Sequence, residues 1–440
     1  MDRSIFHPDF KARPYWWEAV EIGNDPPAEL PAKTDVVIVG GGLTGLNCAI
    51  ELGRGGVQAV VLEGEDFGFG ASTRNGGAVS AGTNLGKGMS GAKTQDAAAR
   101  AMLRAMMADA AASLAHVETV VARENIACHY ERSGRFVGAC TPRHYDALAR
   151  RIDLFNEYAE AEAVMVPRER QCEEIASDYY FGGMTAGRAG KLHPALYHRG
   201  LMEAARRYGA ILLGRTRAGR LTRTAEGWSV ETSRGPIAAR EVVIATNGYT
   251  GGLTPDLRRR LVPVASHIIA TEPLDPEIAR SLIPKGRTIS DTRRVLCYYR
   301  MSPDGTRVLF GGRPRFTQVG PEVSAPLLYA MMLERWPQLR GVRITHAWTG
   351  NLAFAFDHLP HIGVTPKGVH YAMACNGSGV AILSYLGAQV GRKILGGGNR
   401  VTAFDGQEFP TKPFYTGHPW FLPMIGSWYR FRDWLDRRVA

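Results

Sequence analysis

The chain has 440 residues, 45% hydrophobic and 22% charged, the balance of an ordinary globular protein with length for two or three folding units. That balance excludes a disordered, collagen-like or coiled-coil chain. No run of 18 apolar residues occurs, so no membrane-spanning helix is expected, and MDRSIFHPDFKARPYWWEAV at the N-terminus lacks the apolar core of a signal peptide. The net charge of +11 is spread over short groups such as Arg206–Arg207 and Arg258–Arg260 without interleaved aromatics, so it reads as solvated surface and no nucleic-acid partner is expected. Six cysteines without CxxC spacing read as reduced thiols of a cytoplasmic protein.

In chain order, a proline-rich lead (Pro26, Pro27, Pro31) gives way to an apolar strand at Asp35–Val39, a glycine turn, a helix to Gly53 and a second strand at Gln58–Leu62. Residues 66–91 are rich in Gly and Ser with almost no apolar period, which marks a functional or disordered loop. The spacing predicts a helix over 92–123, a hairpin over 127–140 about Ser133-Gly134, a helix over 142–163, and a helix over 195–208 leading to a strand at Ala210–Leu213. An apolar strand at Glu241–Thr246 breaks at Asn247-Gly248. Residues 293–313 read as a hairpin about Ser302-Pro303-Asp304-Gly305, and 378–395 as a helix stopped by Gly396–Gly398. The fold class is α/β with an α+β insert: a nucleotide-binding domain from 1–91 (with the lead), 190–258 and 345–400, a second domain from 259–344 and part of 92–189, and an amphipathic tail at 401–440.

Gly40, Gly42 and Gly45 fit G-x-G-x-x-G between an apolar strand and a helix. Such glycines allow a tight turn, close approach of backbone N–H groups to a pyrophosphate, and close helix–strand packing, with the helix N-terminus facing the phosphates. Glu63 ends the second strand, 18 residues after Gly45, where an acid takes both ribose hydroxyls and disfavours a 2′-phosphate. The motif by itself leaves NAD and FAD open.

Three further stretches resemble one family. G-F-G-A-S-T-R-N-G-G-A-V-S-A-G (68–82), V-V-I-A-T-N-G-Y-T (242–250), and W-T-G-N-L-A-F-A-F-D-H-L-P-H-I-G (348–363) followed by A-C-N-G-S-G-V (374–380) are similar to the flavin-contacting segments of the D-amino-acid oxidase/glycine oxidase superfamily, over about residues 33–395. G-A-S-x-R-N-G-G, Y-Y-R, L-F-G-G and a WYR-like tail resemble its γ-glutamylputrescine oxidase type. The resemblance implies a Rossmann-like FAD-binding domain with an inserted mixed-sheet substrate domain. It also implies oxidation of the C–N bond of a small amine or amino acid, with O2 or another acceptor taking the electrons. By motif, Gly40, Gly41, Gly42, Thr44, Gly45, Glu63 and Gly64 would hold the ADP part. Ala71, Ser72, Arg74, Asn75, Gly76 and Gly77 would lie along the pyrophosphate and isoalloxazine. Thr246, Asn247 and Gly248 would border the ribityl and phosphate region. Asn376, Gly377, Ser378, Gly379 and Val380 would form a helix N-terminus at the flavin O2/N1 edge, stabilising negative charge there. Where family members often offer a valine backbone to adenine, this chain has Ala218. No cysteine occurs between His346 and His361, so the resemblance implies non-covalent FAD.

C–N oxidation asks the protein to orient an unprotonated amine, and no general base is required. On the 293–313 hairpin, strand alternation sets Arg294, Leu296, Tyr298 and Arg300 on one face. Tyr298 and Arg300 are a phenol and a guanidinium suited to a carboxylate or amide; the competing reading is a surface arginine beside a core tyrosine. Trp348 either walls the cavity or is plain core. Asp357, His358 and His361 have a proline among them, and no metal is expected. The aromatic and basic tail at 414–437 is expected to pack on the protein's own body, with a membrane surface or partner as the alternative. Rival functions are an NAD-dependent dehydrogenase, an RNA-modifying flavoprotein, a non-catalytic flavin subunit, and a flavin dehydrogenase of a 2-hydroxy acid or an α- or N-methyl-amino acid.

Overall fold

The strand Lys33–Val39 runs parallel between Gly235–Ile244 and Ala59–Leu62, and Ile211–Leu213 extends the parallel sheet beyond Ala59–Leu62. Its D-V-V-I-V run, like A-V-V-L and I-L-L, lacks alternation because the sheet is covered on both faces. The structure, a computed structural model, describes residues 5–24, 26, 28–80, 97–398 and 401–438. The antiparallel strands Ala218–Thr224 and Gly227–Thr232 continue this eight-stranded sheet, and His370–Met373 runs parallel to its Val243–Ile244 end. One face carries the helices Leu43–Arg54, Ala97–Arg123, Pro194–Arg207 and Gly379–Ile394.

The first and last of those helices cross at glycine. A Cβ on Gly387 would run into the Thr44 carbonyl, and one on Gly391 would lie 3.1 Å from the Cys48 carbonyl. The helices therefore run the same way, in close contact. Gly379 starts its helix two turns before the Thr44 crossing, about 12 Å along the axis. Two helix N-termini thus open toward one side of the sheet, at staggered depths.

The second sheet has nine strands, in the order Phe6–Lys11, Ile344–Ala355, Leu261–Thr271, Val308–Gly312, Cys297–Met301, Thr288–Asp291, Arg135–Gly138, Gly183–Ala186 and Ala163–Val166. Its core packs Phe136, Tyr180, Tyr299, Phe310 and Trp336 against the Pro321–Arg335 helix. Fully buried Arg335 pairs there with buried Asp291 at 2.9 Å. At the far end of Ile344–Ala355 the two sheets join: Asn376 N–H donates to Ala353 (3.0 Å), and Ala355 N–H donates to Asn376 Oδ1 (3.1 Å).

Two predicted elements differ. The helix expected over 142–163 is two, Pro142–Ala149 and Ile152–Ala159, followed by the strand Ala163–Val166. Glu160 turns left-handed (φ 46°), and Asn156 bonds the Ala163 carbonyl and N–H at 3.0 and 2.6 Å, drawing the chain back. The hairpin expected over 127–140 is absent. Arg135–Gly138 pairs with Gly183–Ala186 and Thr288–Asp291, while Glu131 bridges Lys191. The 293–313 hairpin forms with strands Cys297–Met301 and Val308–Gly312. Of the 66–91 loop, residues 81–91 lie outside the described residues; Ala78–Ser80 pairs with Ala189–Lys191.

The tail helix Leu422–Arg438 packs on the body. Val295 N–H donates to Asp433 Oδ2 (2.9 Å), and Gly426 faces Phe316. Its outer side exposes Trp428 (54%), Phe431 and Trp434 (49%). No helix among the described residues is long and apolar enough to cross a membrane.

Candidate functional site

The glycine turn after Lys33–Val39 is built as its sequence demands. Gly40 adopts φ +112°, and a Cβ there would lie 2.7 Å from the Ala245 carbonyl; a Cβ on Gly45 would run into the Gly40 carbonyl. Thr44 is buried in the first turn of the helix. Glu63 reaches across the sheet end: its Oε2 accepts from Gly41 N–H (3.0 Å) and its Oε1 from Glu65 N–H (3.1 Å). Burial pushes its carboxyl above the ordinary range. Gly64 lies beside the Arg217 guanidinium, and Thr216 N–H donates to the Glu63 carbonyl at 2.7 Å, two residues before Ala218 starts its strand. His198, which sequence reasoning missed, bonds the Gly41 carbonyl at 2.7 Å.

The 68–77 loop closes over this turn. Ser72 Oγ accepts from Leu43 N–H at 3.1 Å, at the start of the Leu43–Arg54 helix. Asn75 Nδ2 donates to the Ala71 and Ser72 carbonyls (3.1 and 2.9 Å), and its Oδ1 accepts from Gly77 N–H (2.8 Å). Arg74 donates to Phe69 and Thr349 carbonyls (2.6 and 3.1 Å) and lies over the Trp17 ring. Two indoles hold the same loop: Trp16 donates to the Asn75 carbonyl and Trp348 to the Arg74 carbonyl, both at 2.8 Å. Trp348 is 4% exposed and packs with Trp16, Ile268 and Leu309, so it is core and loop anchor together.

The third segment meets the first two at the C-terminal ends of the strands. Thr246 bonds Thr250, Gly248 packs on Asn351, and Asn247 (φ +40°) accepts from Ala374 N–H at 3.0 Å. Asn376 and Gly377 take positive φ (47° and 93°), turning the chain through Ser378 into the helix that Gly379 and Val380 begin.

Tyr298 and Arg300 share a face, as alternation requires, and both approach this loop. A Cβ on Gly76 would lie 3.0 Å from the Tyr298 ring, and one on Gly77 2.8 Å from Arg300 Nη1. Tyr298 hydroxyl bonds Ser266 Oγ at 2.8 Å. Arg300 is 3% exposed, which overturns the surface reading. Its Nη1 donates to Leu192 and its Nε to Met301 carbonyls, at 2.8 and 3.1 Å, and burial pushes its pKa down to about 10. His361 pairs with Asp357 (3.0 Å) and stacks on Phe409, while His358 lies against Phe354.

These residues fit a flavin dinucleotide. The turn at Gly40–Gly42 is one a Cβ would fill, an acid ends the second strand, and two helix N-termini face one side at staggered depths. Comparison with known proteins agrees. Residues 35–392 match the family DAO, FAD dependent oxidoreductase. Gamma-glutamylputrescine oxidoreductase of Escherichia coli K12 is 31% identical over 407 residues, 91% of this chain and 92% of that one. A probable oxidoreductase OrdL of Haemophilus influenzae is 27% identical, over 88% of each chain. Glycine oxidase from Geobacillus kaustophilus has the same fold (TM-score 0.71, 22% identity, 87% of this chain and 99% of that one), as does L-proline dehydrogenase from P. horikoshii (0.69, 18%, 92% and 99%). The chain belongs to the DAO family: it is an FAD-dependent oxidoreductase.

Proposed function

We propose that this enzyme oxidises the C–N bond of a small amine or amino acid to an imine, which water hydrolyses to an aldehyde or keto acid, and that an amine carrying a distant carboxylate or amide, such as a γ-glutamylated amine, is the preferred substrate. The observation that carries this is the meeting of the Tyr298 strand with Gly76-Gly77: a phenol from the second sheet abuts the loop that lines the flavin in this family. The 31% identity to gamma-glutamylputrescine oxidoreductase over most of both chains supports the substrate class. FAD, when bound, accepts the two electrons of the oxidation and passes them to O2 or another acceptor. Glu63 and the Gly40–Gly42 turn would hold its ADP part, Ser72 its phosphates, and the Asn376–Val380 turn its ring.

The chain's own residues do the orienting. Tyr298 is half-buried, and the desolvation holds its phenol above its ordinary pKa, so it stays neutral and able to bond a substrate polar group. Nearby guanidinium charge disfavours an ammonium, and thereby favours the unprotonated amine that oxidation requires. Arg300 fixes the Gly77 side of the site and, in this reading, also orients the substrate.

An anaerobic panel tests the proposal. Bleaching of the yellow colour by γ-glutamyl amines, and not by sarcosine, glycine or D-alanine, is expected. The reverse order would transfer the activity to α- or N-methyl-amino acids, and bleaching only by a 2-hydroxy acid would overturn C–N chemistry.

The same reading assigns 1–91, 190–258 and 345–400 to FAD binding and 259–344 with part of 92–189 to the substrate domain, residues 6–11 and 345–355 being shared because they pair in the nine-stranded sheet. Six unpaired cysteines support a cytoplasmic setting. The outward Trp428–Trp434 stripe beside Arg432, Arg437 and Arg438 supports a peripheral contact with an anionic membrane surface, which co-sedimentation with anionic vesicles tests.

A further inference from the structure

The tail helix Leu422–Arg438 lies beyond residue 392, where the family match ends, yet its inner side closes on the hairpin that carries Tyr298. Asp433 meets one leg of that hairpin. Its Oδ1 accepts from Arg294 N–H at 3.1 Å and its Oδ2 from Val295 N–H at 2.9 Å, just before the Cys297–Met301 strand. Arg430, one turn earlier on the same side of the helix, meets the other leg. Its Nη1 donates to the Pro314 carbonyl at 3.2 Å, just after Val308–Gly312. Cys297 pairs with Gly312, so both bonds grip the open end of the hairpin, where its legs part.

Docking a helix on a sheet needs only apolar contact, and Leu422, Gly426 and Tyr429 already supply it against Val262, Val264 and Phe316. Asp433 adds what apolar contact lacks. A carboxylate whose two oxygens sit on successive backbone N–H groups, with its side chain 8% exposed, fixes the direction of the chain as well as its position. Its charge is answered by the Arg294 guanidinium at 3.3 Å, which Asp436 also engages. A third link passes through Phe316. That ring packs edge-on against Tyr429, its carbonyl accepts from Ala265 N–H at 2.8 Å, and the next residue, Ser266, bonds the Tyr298 hydroxyl.

Tyr298 is sensitive to where its strand lies. It stands opposite Gly311, where a Cβ would run into its ring, and a Cβ on Gly76 would lie 3.0 Å from the same ring. The ring thus rests against the bare backbone of two glycines, one on the neighbouring strand and one on the 68–77 loop, and a shift of the hairpin moves the phenol relative to that loop. A displacement of about 1 Å in a substrate-positioning group costs about a hundredfold in rate. We propose that Asp433 is a positioning residue of the substrate site, acting with Arg430 to fix both legs of the hairpin and thereby the place of the Tyr298 phenol. This rests on the reading of Tyr298 as a residue that orients the substrate, and deepens it: a helix outside the family's matched segment sets the geometry of the site.

The test uses FAD-loaded protein carrying fluorotyrosine at position 298, whose fluorine resonance reports the phenol's surroundings without turnover. Asp433→Ala and Arg430→Met should each move that resonance, and Asp433→Asn, which keeps one acceptor oxygen, should move it less. Glu124→Gln removes the charge of buried Glu124 beside Arg207, where the Ala97–Arg123 and Pro194–Arg207 helices end, and should leave the resonance in place. Turnover is then measured with whichever of the γ-glutamyl amines, sarcosine, glycine or D-alanine reduces the flavin fastest. Asp433→Ala should lower kcat/KM about tenfold or more in the wild-type background but less than about twofold in Tyr298→Phe, because the effect passes through the phenol. If no amine on the panel reduces the flavin, the amine reading fails and the fluorine resonance alone decides the positioning. An unmoved resonance in Asp433→Ala, an equal shift in Glu124→Gln, or losses that add in the double variant would each overturn the proposal. Should Asp433→Ala not fold or load flavin, Asp433→Asn and Arg430→Met carry the same comparison.

Discussion

Trp348 donates its indole N–H to the Arg74 carbonyl at 2.8 Å, so a residue of the second sheet holds the backbone of the 68–77 loop from 274 positions away. Arg74 returns the contact through Nη1 to the Thr349 carbonyl. Trp348→Phe keeps most of the ring and removes the donor. It should cost about 1–2 kcal/mol, because the Arg74 carbonyl is left without that bond. FAD affinity should fall several-fold, read by titrating the cofactor-free protein. Unchanged affinity and melting temperature would show that Trp16 and Asn75 suffice to hold the loop.

Glu63 faces Gly41 across the dinucleotide turn, accepting its N–H at 3.0 Å. Glu63→Ala should purify largely without flavin while keeping its far-ultraviolet circular dichroism. Full FAD occupancy in that variant would remove Glu63 from the cofactor site.

The flavin should be released completely by acid precipitation. Cys297 is buried in the second-sheet core beside Tyr299, and burial pushes its thiol up, a poor setting for a covalent link. Flavin fluorescence remaining with the protein band on a denaturing gel is the contrary result.

Asp291 and Arg335 form a fully buried pair. Asp291→Ala strands the arginine in the core of the nine-stranded sheet and should cost about 3–5 kcal/mol. A melting temperature within a degree or two of wild type would contradict that.

His193 caps the Pro194–Arg207 helix by accepting the Leu196 N–H on Nδ1 at 3.2 Å, and burial pushes its pKa down to about 4. His116 is likewise lowered to about 4, chiefly by burial. Both side chains take up protons more readily when unfolded, with an ordinary pKa of about 6.5. Their stabilisation is therefore present above about pH 6.5 and is lost as pH falls toward about 4. The melting temperature should drop across that window. His193→Asn, which keeps a capping oxygen, should flatten the slope; an equal slope in the variant would assign the acid lability elsewhere.

Residues 35–63 declare their fold locally. An apolar run buried on both faces, glycines at a positive φ and at helix crossings, and an acid at a strand end are properties of neighbouring residues, and periodicity displays them. The 293–313 hairpin is equally legible, because its turn and both strands are contiguous. The split of 142–163 was hidden, since Asn156 and Glu160 act through short-range bonds that helical spacing does not encode. Arg135–Gly138 was mispaired because its partners lie some 45 to 155 residues away. The burial of Arg300, the grip of Trp16 and Trp348 on the 74–75 backbone, and the approach of Arg313 to Gly377 exist only once the two sheets meet. Residue type and spacing determine which side chains are able to serve a flavin site; which guanidinium is spent on backbone carbonyls, as Arg300 is, and which pairs with a buried carboxylate, as Arg335 does, is decided by packing between segments far apart in the chain.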